Sequence, residues 1–225
     1  KPQADPWRSL ARLLAYRLFK SALDRVLEGP SPRTQAFATL GMHYFHKAIP
    51  IDAKVERLYS QTAAKLRQMF ENDLAEHWPW PEPVLTYDNA RMPQALIFAG
   101  QDLGDDRMLS LGLRHLEWLA DQQIGRDGVV SLVSHQTWRM NDAARPIFDQ
   151  QPVEAAAMVE SCATAYFATQ DVKWFDLAKH FHLWFHGNNA LGQAVRDTTT
   201  GGCRDGLQPS GVNSNQGAES TLAWI

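Results

Sequence analysis

Glu154 and Glu219 stand at matching places in the chain, each at the start of an apolar stretch, and Asp149 and Asp205 lie in the polar segments just before them. Breaking a glycosidic bond needs two carboxyl groups, one protonated to serve the leaving oxygen and one ionised as base or nucleophile. Glu154 opens a nearly uncharged run, so burial is expected to raise its pKa toward a general acid's. Asp205 sits among glycines in Gly201-Gly202-Cys203-Arg204-Asp205-Gly206 and is expected to stay ionised. Carboxyls whose surroundings differ in this way divide acid and base roles. Glu154 with Asp205 is thus the first candidate catalytic pair, with Asp149 and Glu219 as substitutes. Acids in a first helical turn also satisfy free N–H groups and the helix dipole, so capping stays open for each.

Around these carboxylates stand groups suited to a hydroxyl-rich ligand. Trp78, Trp80 and Trp138 occur in polar loops and would offer flat apolar platforms to a sugar ring. Tyr87, Asp88, Arg91 and Gln94 follow in one run, and Gln151, Asn213, Asn215 and Gln216 lie before later apolar stretches. All are candidate substrate contacts, with N-capping the alternative for Asp88 and backbone bonding for the amides. Trp118 and Trp174 fall on apolar stripes and read as core. The pairs His43/His46 and His182/His186 lack an acidic or thiol partner at metal-binding spacing, so no metal is expected. The glycine-rich run at 201–206 follows no strand and has no P-loop lysine. Cys203 has no base partner, and no cofactor is expected.

The elements that would position these residues are helices. Pro32-Arg33-Thr34-Gln35-Ala36, Arg91-Met92-Pro93-Gln94-Ala95, Gln151-Pro152-Val153-Glu154-Ala155 and Gln216-Gly217-Ala218-Glu219-Ser220 form a faint repeat with steps of 59, 60 and 65 residues. That period fits two helices and one long loop. Between the repeat starts lie amphipathic stripes: Trp7, Leu10, Leu14, Leu18 and Ala22; Val55, Leu58, Thr62, Leu66, Met69 and Phe70; Met108, Leu111, His115, Trp118 and Leu119; Trp174, Ala178, Phe181 and Phe185. The repeat-start helices are apolar around most of their girth, with Glu160 the single charge between Ala155 and Thr169. Nearly buried helices alternating with half-exposed ones describe an inner layer inside an outer layer. The expected fold is all-α, an α/α-hairpin toroid or incomplete toroid of about eight helices over residues 1–225. A closed six-hairpin ring needs twelve, so a fragment of a larger ring, or closure by homo-oligomerisation, is expected. The long entries to Gln94, Glu154 and Glu219 should share one face, and long loops of this kind usually carry function.

Composition narrows the classes. A net charge of −3 and a pI near 6.2, with no basic cluster, argue against nucleic acid. No apolar run approaches the ~20 residues of a membrane helix. Two cysteines make no disulfide framework, and a cytoplasmic setting is expected.

The stretch Phe148-Asp149-Gln150-Gln151-Pro152-Val153-Glu154-Ala155, with Gly201 to Leu207 and Asn213-Ser214-Asn215-Gln216-Gly217-Ala218-Glu219-Ser220, resembles a bacterial helical domain found beside or fused to glycosyltransferases. Its helical pattern is similar to the six-hairpin toroids of glycosidases and sugar epimerases. The resemblance runs from Tyr87 onward. It implies a carbohydrate-active domain that binds an oligo- or polysaccharide, with hydrolysis or remodelling by paired carboxylates. The alternative is a non-catalytic helical module with a glycosyltransferase as partner.

Overall fold

The computed structural model describes residues 6–49, 51–72, 75–141 and 144–225. Eight α-helices occur among them: α1 (Pro6–Ala22), α2 (Pro32–Ala48), α3 (Ala53–Glu71), α4 (Arg91–Leu103), α5 (Asp106–Gln123), α6 (Pro152–Thr169), α7 (Val172–His182) and α8 (Ala218–Trp224). Short 3-10 turns follow α1 and α7. Gln35, Gln94, Glu154 and Glu219 all fall in the first turns of α2, α4, α6 and α8, as the repeat predicts. These four helices pack side by side in chain order, and α3, α5 and α7 each pack behind the inner helix before them. The result is an arc of α/α hairpins with an inner and an outer layer.

Local chemistry distinguishes the layers. The outer helices start on aspartate caps: Asp52 accepts from Lys54 and Val55, Asp105 from Met108, and Asp171 from Lys173. Such caps close the free N–H groups at a helix start. The positions before α4, α6 and α8 are Ala90, Gln151 and Gly217, none of which caps with its side chain. α4, α6 and α8 therefore begin without a side-chain cap at that position, on the face where the long loops gather, whereas Ser31 caps α2 by accepting from Thr34 N. Each hairpin closes tightly at the other end. Gly104, at φ +67°, ends α4 in the left-handed conformation, and a Cβ on Gly100 would meet the backbone N of Leu109 at 2.5 Å. That glycine lets α4 and α5 touch backbone to backbone.

Two antiparallel two-residue strand pairs tie the loops. Val84–Leu85 (β1) pairs with Trp138–Arg139 (β2), and Leu207–Gln208 (β3) with Gly211–Val212 (β4). The core runs through both layers, and the three later apolar stripes contribute to it as predicted. The first stripe is a correction. Leu10, Leu14 and Leu18 are exposed, and α1 meets α2 instead through Phe19 and Tyr16, both stacked on Phe45. The aromatic pair dominates that contact and turns the leucine row outward; the side chain of Trp7 lies outside the described positions. Among the described residues, no helix is long and apolar enough to cross a membrane, and no group of three His, Cys, Asp or Glu is placed to hold a metal.

Candidate functional site

Arg33 anchors the turn that enters α4. From the first turn of α2 its guanidinium donates to Tyr87 O (2.6 Å), Glu82 Oε2 (2.8 Å) and Asn89 Oδ1 (2.9 Å). Held this way, Asp88 adopts φ +51°, a left-handed conformation that aspartate tolerates better than most residues. The conformation points backbone amides at α6, where Glu154 Oε1 accepts from Asp88 N at 2.5 Å. Asn89 N also bonds to the Glu154 carboxyl. Glu154 is buried, and desolvation pushes its pKa up to about 7 despite these amides, with the Asp88 charge adding to the rise. The expected pKa direction is therefore present, but the carboxyl is spent on holding the α4 entry turn.

Asp88 is itself buried in that turn. Its pKa is also raised, chiefly by desolvation, with Arg91 opposing and Glu160 adding to the rise. Oδ1 lies 3.3 Å from Arg91 Nε and makes no aligned hydrogen bond, an uncommon state for a buried oxygen. Arg91 also donates to Glu160 Oε2 and to Gln94 Oε1 (3.0 Å), and Gln94 donates to Thr164 (3.1 Å). Asp88, Arg91, Gln94 and Glu160 line a cleft of about 430 Å3 on the inner face, closed on the α2 side by Phe37, Leu40, Gly41 and Tyr44. Phe37 and Tyr44 are 45% and 58% exposed, so their ring faces are open to a ligand. Tyr87 stands nearby, half exposed. Its phenol is raised first by partial burial and then by the charges of Asp88, Glu219 and Glu154. That places Glu219, exposed in the first turn of α8, at the same end of the arc.

The other candidates have different work. Asp205 accepts from Gly217 N (2.7 Å), Ser220 Oγ (2.7 Å) and Asn215 Nδ2 (2.5 Å), and these bonds, Asn215's first, lower its pKa. It caps α8 from a distance and is not open as base or nucleophile. Asn213 accepts from Asn215 N, and Gln216 bonds Asp197 and Thr200. The three amides therefore hold the loop before α8 rather than presenting to a ligand. Asp149 is half-buried beside His135 and does not line the cleft. Gln151 is exposed at the start of α6.

The tryptophan platforms are a correction. Trp78, Trp80 and Trp138 are 2%, 0% and 2% exposed. Trp78 donates to Glu82 O, Trp80 stacks on Trp118, and Trp138 donates to Pro146 O. The loops that carry them fold back over the hairpins, and indoles are the apolar mass that seals them. Arg33, Phe37, Tyr44 and Glu160 were not singled out as site residues from sequence. Glu160 had a legible signal, as the single charge between Ala155 and Thr169 on α6.

The arc of inner and outer helices with a cleft at the loop-rich inner face defines the six-hairpin α/α-toroid class. Solved structures agree. An unsaturated glucuronyl hydrolase from Bacillus sp. GL1, responsible for the degradation of glycosaminoglycan, superposes with a TM-score of 0.69 at 14% identity, covering 95% of this chain and 59% of that one. A cellobiose 2-epimerase from Spirochaeta thermophila gives 0.61 at 14% identity, covering 94% and 61%. A GH76 α-mannanase from Bacteroides thetaiotaomicron gives 0.57 at 15% identity, covering 76% and 46%. At such identities the likeness is one of fold. The chain spans about half to three fifths of the length of the structures it matches. No protein-family profile matches it, and neither does any curated protein sequence.

Proposed function

We propose that the inner cleft is a carbohydrate-active site that cleaves a glycosidic bond, with Asp88 as proton donor and Glu160 as its ionised partner. The observation that carries this is Asp88 itself: a buried carboxyl whose pKa desolvation raises, paired with Arg91 at 3.3 Å and among the residues lining the cleft beside exposed aromatic rings. In the cleavage, the Asp88 proton passes to the glycosidic oxygen as the C–O bond breaks. Water adds to the anomeric carbon and gives its proton to Glu160, from which solvent returns a proton to Asp88. Arg91 lies between the two carboxylates and pairs with both. Phe37 and Tyr44 stack on the ring, and Gln94 bonds hydroxyls. The toroid glycosidases and epimerases of the same fold support a sugar ligand.

The test is product release from cellobiose, an α-mannobiose and an unsaturated glucuronyl disaccharide. Cleavage of at least one, lost in Asp88→Asn, is expected. Full activity in Asp88→Asn overturns the assignment. A second reading, binding without turnover in a module partnered with a glycosyltransferase, is favoured by Glu154 and Asp205, which are both engaged within the fold. Saccharide binding with no product from any of the three probes is its signature. The two cysteines are free and buried, which suits a reducing, cytoplasmic setting.

A further inference from the structure

The charges at the cleft never sum to a positive site. Asp88 and Glu160 line it, Glu154 lies buried behind the same turn, and Arg91 is the one cation among the described lining residues. Arg91 already faces both lining carboxylates, 3.3 Å from Asp88 and in direct contact with Glu160. Arg33, the next guanidinium, spends its donors on Tyr87 O, Glu82 and Asn89. With or without protons on Asp88 and Glu154, the group of Arg91, Asp88, Glu154 and Glu160 is neutral or negative, and the Arg33–Glu82 pair adds no net charge.

Glu160 is the carboxylate open to a ligand. Its side chain is half-exposed, Oε2 accepts from Arg91, and Oε1 accepts no hydrogen bond among the described residues. Tyr44, exposed on the α2 side of the cleft, is near enough to Arg91 for its charge to be felt there. An aromatic ring draws a cation to its face, and an ammonium brings three donors on one compact charge. An incoming carboxylate or sulfate finds no guanidinium that acids have not already taken, and it sets like charge against like.

We propose that the sugar this cleft takes is an amino sugar, its free ammonium held by Glu160 Oε1 with the Tyr44 ring beside it, and that acidic sugars are refused. This rests on the reading of the cleft as a sugar site. Under that reading Glu160 stands beside the anomeric carbon, so the amino group belongs on the neighbouring ring carbon, as in a 2-amino-2-deoxyhexose.

Calorimetric titration with four methyl glycosides provides the test: those of glucosamine, N-acetylglucosamine, glucose and glucuronic acid, at about pH 6, where an amine is protonated. The glucosaminide should bind about tenfold tighter than the glucoside. Acetylation, which removes the charge, should abolish that advantage, and the glucuronide should bind weakest. Salt at about 0.5 M should shrink the gap between amine and glucoside, and Glu160→Gln should narrow it to about twofold. Equal binding of glucosaminide and glucoside, a glucuronide that binds as tightly as the amine, or a gap that survives both salt and Glu160→Gln overturns the inference and leaves the sugar cleft standing. So does binding of one of the three disaccharides named above with none of the four glycosides. If nothing binds the wild type, the sugar reading of the cleft fails and this inference fails with it.

Discussion

Glu154 on α6 accepts the backbone N–H of Asp88 at 2.5 Å, so a buried carboxyl of one inner helix sets the conformation of the turn entering its neighbour. Burial raises the Glu154 pKa from 4.5 to about 7. The sign of the stability effect follows. A folded pKa above the unfolded value means that the folded state binds more protons between about 4.5 and 7, so this group's contribution is fully present below that window and lost as pH rises through it. Glu154→Gln keeps an acceptor for Asp88 N and removes the ionisation. Urea unfolding from pH 4.5 to 8 should show wild-type stability declining relative to the variant up to about pH 7 and running parallel above. Parallel curves throughout would mean that Glu154 does not titrate in the fold.

Asp205 should behave in the opposite sense. Its carboxylate joins the loop to the start of α8 through Gly217, Ser220 and Asn215, and its pKa is lowered. Its stabilisation is therefore present at neutral pH and lost as pH falls through the folded pKa. Asp205→Ala leaves the Gly217 and Ser220 donors without an acceptor and should cost about 1–3 kcal/mol at pH 7. Hydrogen exchange should speed up across residues 213–224. Unchanged exchange there would reduce Asp205 to a surface residue.

The layers and the shared end of the inner helices were legible because repeat spacing and apolar girth are properties of helices, and helices are local. The acid was not. Glu154 and Asp88 are 66 positions apart, and nothing in either neighbourhood indicates that one carboxyl would hold the backbone while the other faced the cleft. The tryptophans misled for a related reason. Polar flanks around Trp78 and Trp138 describe the loop, whereas the indoles answer to the hairpins beneath it. Arg33 was hidden because it acts through Tyr87 and Asn89, carried by another hairpin.

Gly100 separates stability from chemistry. A Cβ there would meet Leu109 N at 2.5 Å and Leu109 Cα at 2.8 Å, contacts that backbone cannot yield without parting α4 from α5. Gly100→Ala should cost about 1–3 kcal/mol and lower the thermal midpoint. The α4 start, where Arg91 and Gln94 sit, is two turns away, so saccharide affinity below the transition should stay within about twofold of the wild type. An equally stable variant would mean that the helices pack less closely than described.

Arg91 and Glu160 push the Asp88 pKa in opposite directions, and that opposition tests the proton donor. The Arg91 charge lowers the Asp88 pKa and the Glu160 charge raises it, on top of the larger rise from burial; Arg33 also lowers it. A proton donor works only while protonated, so the alkaline limb of kcat/KM tracks its pKa. Arg91→Met should move that limb to higher pH, and Glu160→Gln should move what activity remains to lower pH. Both variants will be slower, since each residue also lines the cleft. The direction of the limb is nonetheless independent of the rate. Positioning roles alone would lower kcat/KM without splitting the limbs. A shift of the acid limb instead, in the same two directions, would make Asp88 the base and exchange its role with that of Glu160.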